Sequence, residues 1–290
     1  MKGTSYLCPT PIGNLKDITL RTLEVLKSVD LVAAEDTRNT LKLLNHFEIS
    51  VPLTSYYEHN KVQKGNILIE KLNSGQSIAL VSDAGMPAIS DPGEDLVRLC
   101  IDEEIEVIPL PGASAFTCAL VASGMPTGRF SFEGFLTTNK RNRKIHLEEV
   151  KNDTRTLIFY EAPHKLLCTL KDMLEFFGNR EIVLARELTK KFEEFTRTTI
   201  EDAIAKYTET PPKGEFVLII KGKDCQELEN QIRAEKPSPE ELLQSYSQSG
   251  LRGKDLVNKV AEELGLPKRE VYDLHLKLKN SGTLKIGENL

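Results

Sequence analysis

Ser77-Ile78-Ala79-Leu80-Val81-Ser82 runs straight into Asp83-Ala84-Gly85-Met86-Pro87-Ala88-Ile89-Ser90-Asp91-Pro92-Gly93. The first part is a short apolar run bounded by turn formers, the pattern of a buried strand. The second is a loop of small, turn-forming and carboxylate residues, with a helix after it. Ligands of parallel α/β sheets sit outside the carboxyl ends of the strands, and glycine lets a backbone come close to a guest. Two other segments share this strand-end character: Thr10-Pro11-Ile12-Gly13-Asn14-Leu15-Lys16-Asp17 and Pro109-Leu110-Pro111-Gly112-Ala113-Ser114-Ala115.

Outward from these loops, the first ~115 residues alternate strand and helix patterns. Strands are expected at 5–9, 31–34, 52–57, 77–82 and 106–110. Helices are expected at 19–28, 40–47, up to Leu72, and 93–104. Such alternation predicts a mostly parallel sheet covered by helices on both faces. After the joint Gly124-Met125-Pro126-Thr127-Gly128, strands at 130–135, 156–160, 181–185, 194–198 and 216–220 are joined by some short connections, which predicts a mixed second sheet. Its helices fall at 140–151, 163–177 and 199–207. Polar residues 224–236 read as a linker. Beyond them, Ser238-Pro239-Glu240-Glu241 is a capping box with proline at the first helical position. Helices over 252–264 and 268–279 follow, the last stopped near Gly282. The organisation is therefore two α/β domains, 1–118 and 119–223, a linker 224–236, and a small helical domain 237–290.

With 290 residues, 40% hydrophobic and 28% charged, the chain has an ordinary globular composition. Its net charge of −5 exerts no global pull on nucleic acid or anionic membrane. An RNA partner would need a local basic patch. The five cysteines are widely spaced, without Cys-x-x-Cys, which suits a reducing cytoplasm. Cys8, Cys100 and Cys118 read as buried small hydrophobes. No signal-peptide core or membrane-spanning apolar run is evident, and no His/Cys/Asp cluster has metal-ligand spacing.

The first loop lacks Gly-x-Gly-x-x-Gly, and no phosphate-binding Gly-x-x-x-x-Gly-Lys-Ser/Thr occurs. Gly112-Ala113-Ser114-Ala115 lacks the closing glycine of a nucleophile elbow, so Ser114 reads as a helix N-cap. Lys16 is the sole cation of the three loops, and phosphates usually demand more. A small polar molecule read by backbone groups, such as S-adenosylmethionine, fits better; ordinary turns are the plainer alternative. Glu35-Asp36-Thr37-Arg38 offers a base or a surface ion pair. His164 offers a proton-transfer group or a solvated side chain. Lys140-Arg141-Asn142-Arg143-Lys144, beside Phe130, Phe132 and Phe135, suits a nucleic-acid backbone; a solvated helix face is the alternative.

The segments Pro9–Thr19, Ala34–Arg38, Ser82–Gly85 with Ser90–Gly93, and Pro109–Ala115 together resemble the ribosomal RNA small subunit methyltransferase I family. Phe159-Tyr160-Glu161, Pro163-His164, Ala185–Lys190 and Gly214–Val217 extend the likeness, which spans nearly the whole chain. That family is a branch of the tetrapyrrole-methylase-like, S-adenosylmethionine-dependent class. The resemblance implies two α/β domains with the cofactor in the cleft between them, plus the helical tail. It implies a homodimer, and 2′-O-methylation of a cytidine in the decoding region of 16S rRNA on the small subunit. By position, Asp83, Ala84, Gly85, Met86, Gly112, Ser114, Ala115, Tyr160, Ala185, Phe216 and Val217 would hold the cofactor. Pro11, Gly13 and Asn14 of the first loop would face the acceptor nucleotide; the basic run, read from the residues alone, would place Lys140, Arg141, Arg143 and Lys144 on the nucleic-acid backbone. The chain departs from the family pattern at Met86, Ala88, Ala162 and Lys165; Met86 fits the cofactor loop if it contributes backbone groups.

Methyl transfer to a hydroxyl needs in-line proximity and a route for the proton. Asp36 or Glu35 is expected as base, with Arg38, Arg186 or Lys190 as electrostatic helpers. A corrin or porphyrin methyltransferase and a non-enzymatic ribosome-assembly factor are the competing readings.

Overall fold

The computed structural model describes residues 1–226, 228 and 237–281. Residues 1–223 form one compact unit and the chain from 224 onward another. The first unit has two lobes, each built on a five-stranded sheet.

Lobe one runs β1 (Thr4–Leu7), α1 (Leu20–Ser28), β2 (Leu31–Ala34), α2 (Thr37–His46), β3 (Leu53–Ser55), α3 (Lys61–Asn73), β4 (Ile78–Val81), α4 (Glu94–Asp102) and β5 (Glu106–Pro109). The strand order is β3-β2-β4-β1-β5, and every pairing is parallel. β2 and β4 are buried throughout, as expected of strands covered on both faces. Leu31, Ile78, Leu80 and Tyr56 pack under α3 and α4 on one face. Val32, Ala34, Ala79 and Val81 pack with Leu26 and Leu44 of α1 and α2 on the other. Local chemistry starts the helices: the Thr22 amide donates to Thr19 Oγ1 (3.1 Å) and the Arg38 amide to Asp36 Oδ1 (2.8 Å).

The next helix, α5 (Ala115–Ser123), follows the β5 loop but packs on the second sheet. Its Ala119 and Leu120 lie against Ile158, Val183, Val217 and Ile219. The domain boundary read at 118 thus falls inside a helix that physically joins the lobes. Cys118, expected inside, is exposed on this helix, whereas Cys8 and Cys100 are buried.

Lobe two runs β6 (Phe130–Phe135), α6 (Lys140–Val150), β7 (Thr156–Glu161), α7 (Pro163–Phe177), β8 (Glu181–Arg186), β9 (Glu194–Thr199), α8 (Ile200–Glu209) and β10 (Phe216–Ile220). The order is β6-β7-β10-β8-β9, with β6 parallel to β7 and the other pairs antiparallel. The sheet is mixed, as the short connections predict. Phe159, Leu166, Leu170, Met173 and Leu184 fill its core beneath α7 and α8.

In the second unit α9 (Pro239–Gln248), α10 (Gly253–Leu264) and α11 (Lys268–Asn280) enclose Leu243, Leu256, Val260 and Val271. The capping box forms: Glu241 N–H donates to Ser238 Oγ, and Ser238 N–H to Glu241 Oε2. Most of the linker reading, and the helix stop near Gly282, lie outside the described residues.

Candidate active site

The carboxyl ends of β2, β4, β7 and β8, the loop after β5 and the start of β10 enclose a cleft of about 310 Å³ between the two lobes. One wall is set by strand register. Val217 on β10 stands opposite Tyr160 on β7 and Ala185 on β8. Residues in one row share a face of the sheet, so these three form a continuous surface. A bulge between Phe132 and Gly134 of β6 re-aims that strand's end, and Phe135 joins the lining. The opposite wall comes from lobe one: Asp83, Ala84, Gly85 and Met86 after β4, and Ser114 and Ala115 after β5. Ser114 occupies the N-cap position of α5 without capping it; its hydroxyl accepts from Thr117 Oγ1 instead. Gly112 is not part of the lining. A Cβ there would lie 2.6 Å from Pro9 Cβ, so its bare Cα serves the packing of the β5 loop on the β1 loop.

Backbone geometry is unusual on both sides of the cleft. Ala88 (φ 67°) and Ser90 (φ 62°) lie in the β4 loop, and Glu187 (φ 50°) and Thr189 (φ 64°) in the loop after β8. Left-handed conformations at such residues cost on the order of 1–3 kcal/mol each and cluster at functional sites. Main-chain ties hold these loops. Thr10 and Gly85 exchange both hydrogen bonds (2.9 and 3.0 Å). The Asn14 amide donates to Thr189 Oγ1 at 3.0 Å, linking the first loop of lobe one to lobe two. Gly13 lies so close to this loop that a Cβ would meet Lys190 Cγ at 2.5 Å.

The cleft is acidic. Glu35, Asp83, Asp91, Glu161, Glu187 and Glu215 line it, against Lys190. Lys190 is held between Glu187 and Glu215, 2.9 Å from each. Burial raises the Glu35 carboxyl, with Asp83 and Asp36 adding repulsion, while the Asp83 amide, 3.3 Å from Oε2, opposes the shift. Burial pushes Asp91 up to about 7, with Glu35 and Asp83 adding to the shift and the Ser82 hydroxyl opposing it. The Tyr160 hydroxyl is pushed up to about 12 by burial and accepts the Phe116 amide (3.2 Å) at the start of α5.

Of the expected catalytic residues, Glu35 and Lys190 reach the cleft; Asp36, Arg38 and Arg186 do not line it. Arg38 grips both Asp36 carboxylate oxygens (2.6–3.2 Å) and pulls that carboxyl down to about 2. A carboxylate so poor at holding a proton is a weak base, which corrects the reading of Asp36. Arg186 pairs with Glu194 at 2.8 Å. Pro11 and Gly13 line a second cavity of about 220 Å³ with Asn39, Lys42 and Asp83; Asn14 stands outside its lining. Lys140, Arg141 and Lys144 are exposed on α6, with Lys144 3.0 Å from Glu175.

Arg143 corrects the sequence reading: it faces inward, 6% exposed, and cannot meet an RNA backbone. Its Nε donates to Asp172 (2.5 Å) and its Nη2 to Thr169 (2.8 Å), whose hydroxyl donates to the buried Glu161 carboxylate. His164 is exposed and outside the cleft. The sequence reading passed over Asp91, Glu161, Glu187 and Phe135 as site residues, although each lies within a motif or cluster it had singled out. No group of three or more His, Cys, Asp or Glu among the described residues is arranged to hold a metal ion.

Residues 5–204 match the family model for Tetrapyrrole (Corrin/Porphyrin) Methylases. The chain is 51% identical to the Ribosomal RNA small subunit methyltransferase I of Halalkalibacterium halodurans, over 94% of this chain and 95% of the relative. It is 49% identical to the protein of the same name from Synechocystis, over 97% of this chain and all of the relative. Among solved structures, uroporphyrin-III C-methyl transferase from Thermus thermophilus, complexed with S-adenyl homocysteine, superposes with a TM-score of 0.53 at 17% identity, covering 76% of this chain and 97% of that one.

Proposed function

The chain belongs to the tetrapyrrole methylase family and, within it, to the ribosomal RNA small subunit methyltransferase I group, and on that premise we propose that it methylates 16S rRNA with S-adenosylmethionine as donor. The finer reading is 2′-O-methylation of a cytidine ribose in the decoding region, carried out by a cytoplasmic homodimer on the small subunit.

The observation that carries the donor assignment is the charge of the cleft. Six acidic residues line it, and its one lysine is already held by two of them. A phosphate-bearing cofactor would meet repulsion here, without the arginine forks that phosphates favour. A donor with a sulfonium and an ammonium gains from the same field. Asp83 to Met86, Ser114, Ala115, Tyr160, Ala185, Phe216 and Val217 would hold it, largely through main-chain edges. When bound, the donor supplies a methyl group on a positively charged sulfur. The chain's own residues close the loops against water and align the acceptor, which is proximity catalysis. They also receive the acceptor's proton. Lys190, Glu35 and Asp83 set the local field. Lys140, Arg141 and Lys144 would lie along the RNA backbone, and the first loop, with Pro11, Gly13 and Asn14, beside the acceptor nucleotide.

The test is mass mapping of 16S rRNA from small subunits incubated with the protein and labelled donor, beside a parallel incubation with tetrapyrrole precursors. One new ribose methyl in the rRNA is the expected result. Label appearing only in the tetrapyrrole arm, or in neither, refutes the reading.

A further inference from the structure

A hydroxyl acceptor must lose a proton as it is methylated, and the carboxylates at this cleft differ in what already occupies their oxygens. Asp36 is saturated by Arg38. Asp83 Oδ1 accepts the Asp36 amide (3.2 Å) and Oδ2 the Asn39 amide nitrogen Nδ2 (2.9 Å), so Asp83 is an organising group. Glu35 Oε2 accepts the Asp83 amide. Glu161 accepts from the Ala162 amide (2.8 Å) and from Thr169. Glu187 accepts from Lys190 and the Glu215 amide, and Glu215 accepts from Lys190. Asp91 stands apart. Each of the other lining carboxylates accepts from a backbone amide or from Lys190, whereas among the described hydrogen bonds Asp91 accepts from neither, and the group that favours its ionised form is the Ser82 hydroxyl. Asp91 lies in the cleft lining beside the left-handed Ala88 and Ser90. Gly93, just beyond, leaves no room for a Cβ (2.9 Å to Ala88 Cβ and to Leu80 Cδ2), so the loop is packed in one shape. Strain held in this way near a ligand cleft is a mark of function.

We propose that Asp91 is the general base of methyl transfer, taking the proton of the acceptor hydroxyl. The assignment rests on the methyltransferase reading of the cleft. As the acceptor oxygen forms its bond to the donated methyl, that methyl's bond to sulfur breaks and leaves its electron pair on a neutral thioether. The hydroxyl proton passes to the Asp91 carboxylate, which afterwards releases it to water. The groups facing Asp91 support the role. Glu35 from the end of β2 and Asp83 from the end of β4 repel its negative charge, while Ser82 stabilises it. Tyr160, within electrostatic reach on β7, stays neutral. Lys190, elsewhere in the cleft lining, is held by Glu187 and Glu215. The resulting proton affinity, near pH 7, is where a general base works best.

The test uses the full chain, and its first readout needs no turnover. Carboxyl carbon NMR of the free protein, labelled at aspartate, should show one resonance titrating near pH 7 that is missing from Asp91→Asn. Calorimetry should show donor binding retained in that variant. Single-turnover methylation of small subunits should fall about 10²- to 10⁴-fold. In the wild type the rate should rise with pH through about 7, because the base must be ionised; the variant should lose this limb, and Asp91→Glu should restore part of the rate. An Asp91→Asn rate within a few-fold of wild type, or the same limb in the variant, overturns the assignment while leaving the methyltransferase reading intact. Wild-type protein that takes up no donor overturns both. Should Asp91→Asn not fold, the wild-type titration decides: no carboxyl titrating between about pH 6 and 8 overturns the proposal.

Discussion

Replacing Arg143 by methionine separates an RNA-binding arginine from a structural one. The guanidinium is 6% exposed and reaches Asp172 and Thr169 together. Methionine keeps much of the stem's volume but removes the charge and its donors. Thr169 is fully buried and Glu161 is 2% exposed, so neither can recover its lost neighbour from water. Breaking a buried ion pair from one side costs about 3–5 kcal/mol. The Asp172 side chain is 25% exposed and can rehydrate in part, which places the expected loss near the lower end, about 3 kcal/mol. Arg143→Lys, which keeps the charge but not the fork, should lose about half of that. The chain has no tryptophan, so unfolding in urea is followed by circular dichroism, with the midpoint shift read at unchanged slope. Because Glu161 ends the strand that carries Tyr160, donor affinity should fall as well. A double variant Lys140→Ala/Arg141→Ala is the contrast. Its stability should hold while the salt dependence of RNA binding flattens by about 0.7–0.9 per lost contact. If Arg143→Met costs under about 1 kcal/mol and instead flattens that dependence, the inward reading of Arg143 is wrong.

Three further outcomes follow from the same geometry. Burial raises Asp91 above an ordinary carboxylate, so its contribution to stability is full below about pH 4 and fades as pH climbs through about 7. Asp91→Asn should therefore match the wild type in thermal melts near pH 4 and exceed it at pH 8, by about 1–2 kcal/mol once partial solvent exposure is discounted; equal melts at pH 8 contradict the shift. Gly13→Val places a Cβ 3.0 Å from the Leu188 carbonyl and closer still to Lys190 and Thr189. It should destabilise the first unit by about 1–3 kcal/mol and weaken donor binding measured by calorimetry. Asp36→Asn keeps an effective N-cap for α2, so methyl transfer should stay within a few-fold of wild type; a loss of 10²-fold or more would restore Asp36 as a base.

Much of the fold was legible because its cues are local. Apolar runs such as 78–81 and turn residues such as Gly75 and Gly124 punctuate the chain. The parallel first sheet follows from alternation, and the mixed second sheet from short connections. Ser238 and Glu241 gave away α9 by spacing alone. What stayed hidden depends on direction rather than sequence distance. Arg143 sits in a run of cations, but helical periodicity turns it toward Asp172 on α7, a partner far along the chain. Asp36 and Glu35 are adjacent, yet one caps a helix and the other enters the cleft. Gly112 looked like a ligand-contact glycine because close approach of Pro9 demands the same residue. Asp91 was in view within the opening loop, but nothing local indicates that its side chain comes within electrostatic reach of Glu35 at the end of β2.

The acid character of the cleft also constrains how a polyanion can use it. A phosphate drawn inside would approach Glu35, Asp83 and Asp91 with only a committed Lys190 to offset them, and at short range such repulsion exceeds what surface lysines return. A neutral ribose hydroxyl meets no such penalty. On the proposed reading, the acceptor enters sugar first, with its phosphates held outside. Lysines suited to hold them lie nearby in sequence: Lys16 next to Leu15, Lys42 within the second cavity, and Lys191 beyond Lys190. All of these are exposed. Asp83 belongs to both cavities, so the two are separated by one side chain. The same carboxylates that favour a cationic donor thus disfavour entry of RNA phosphates.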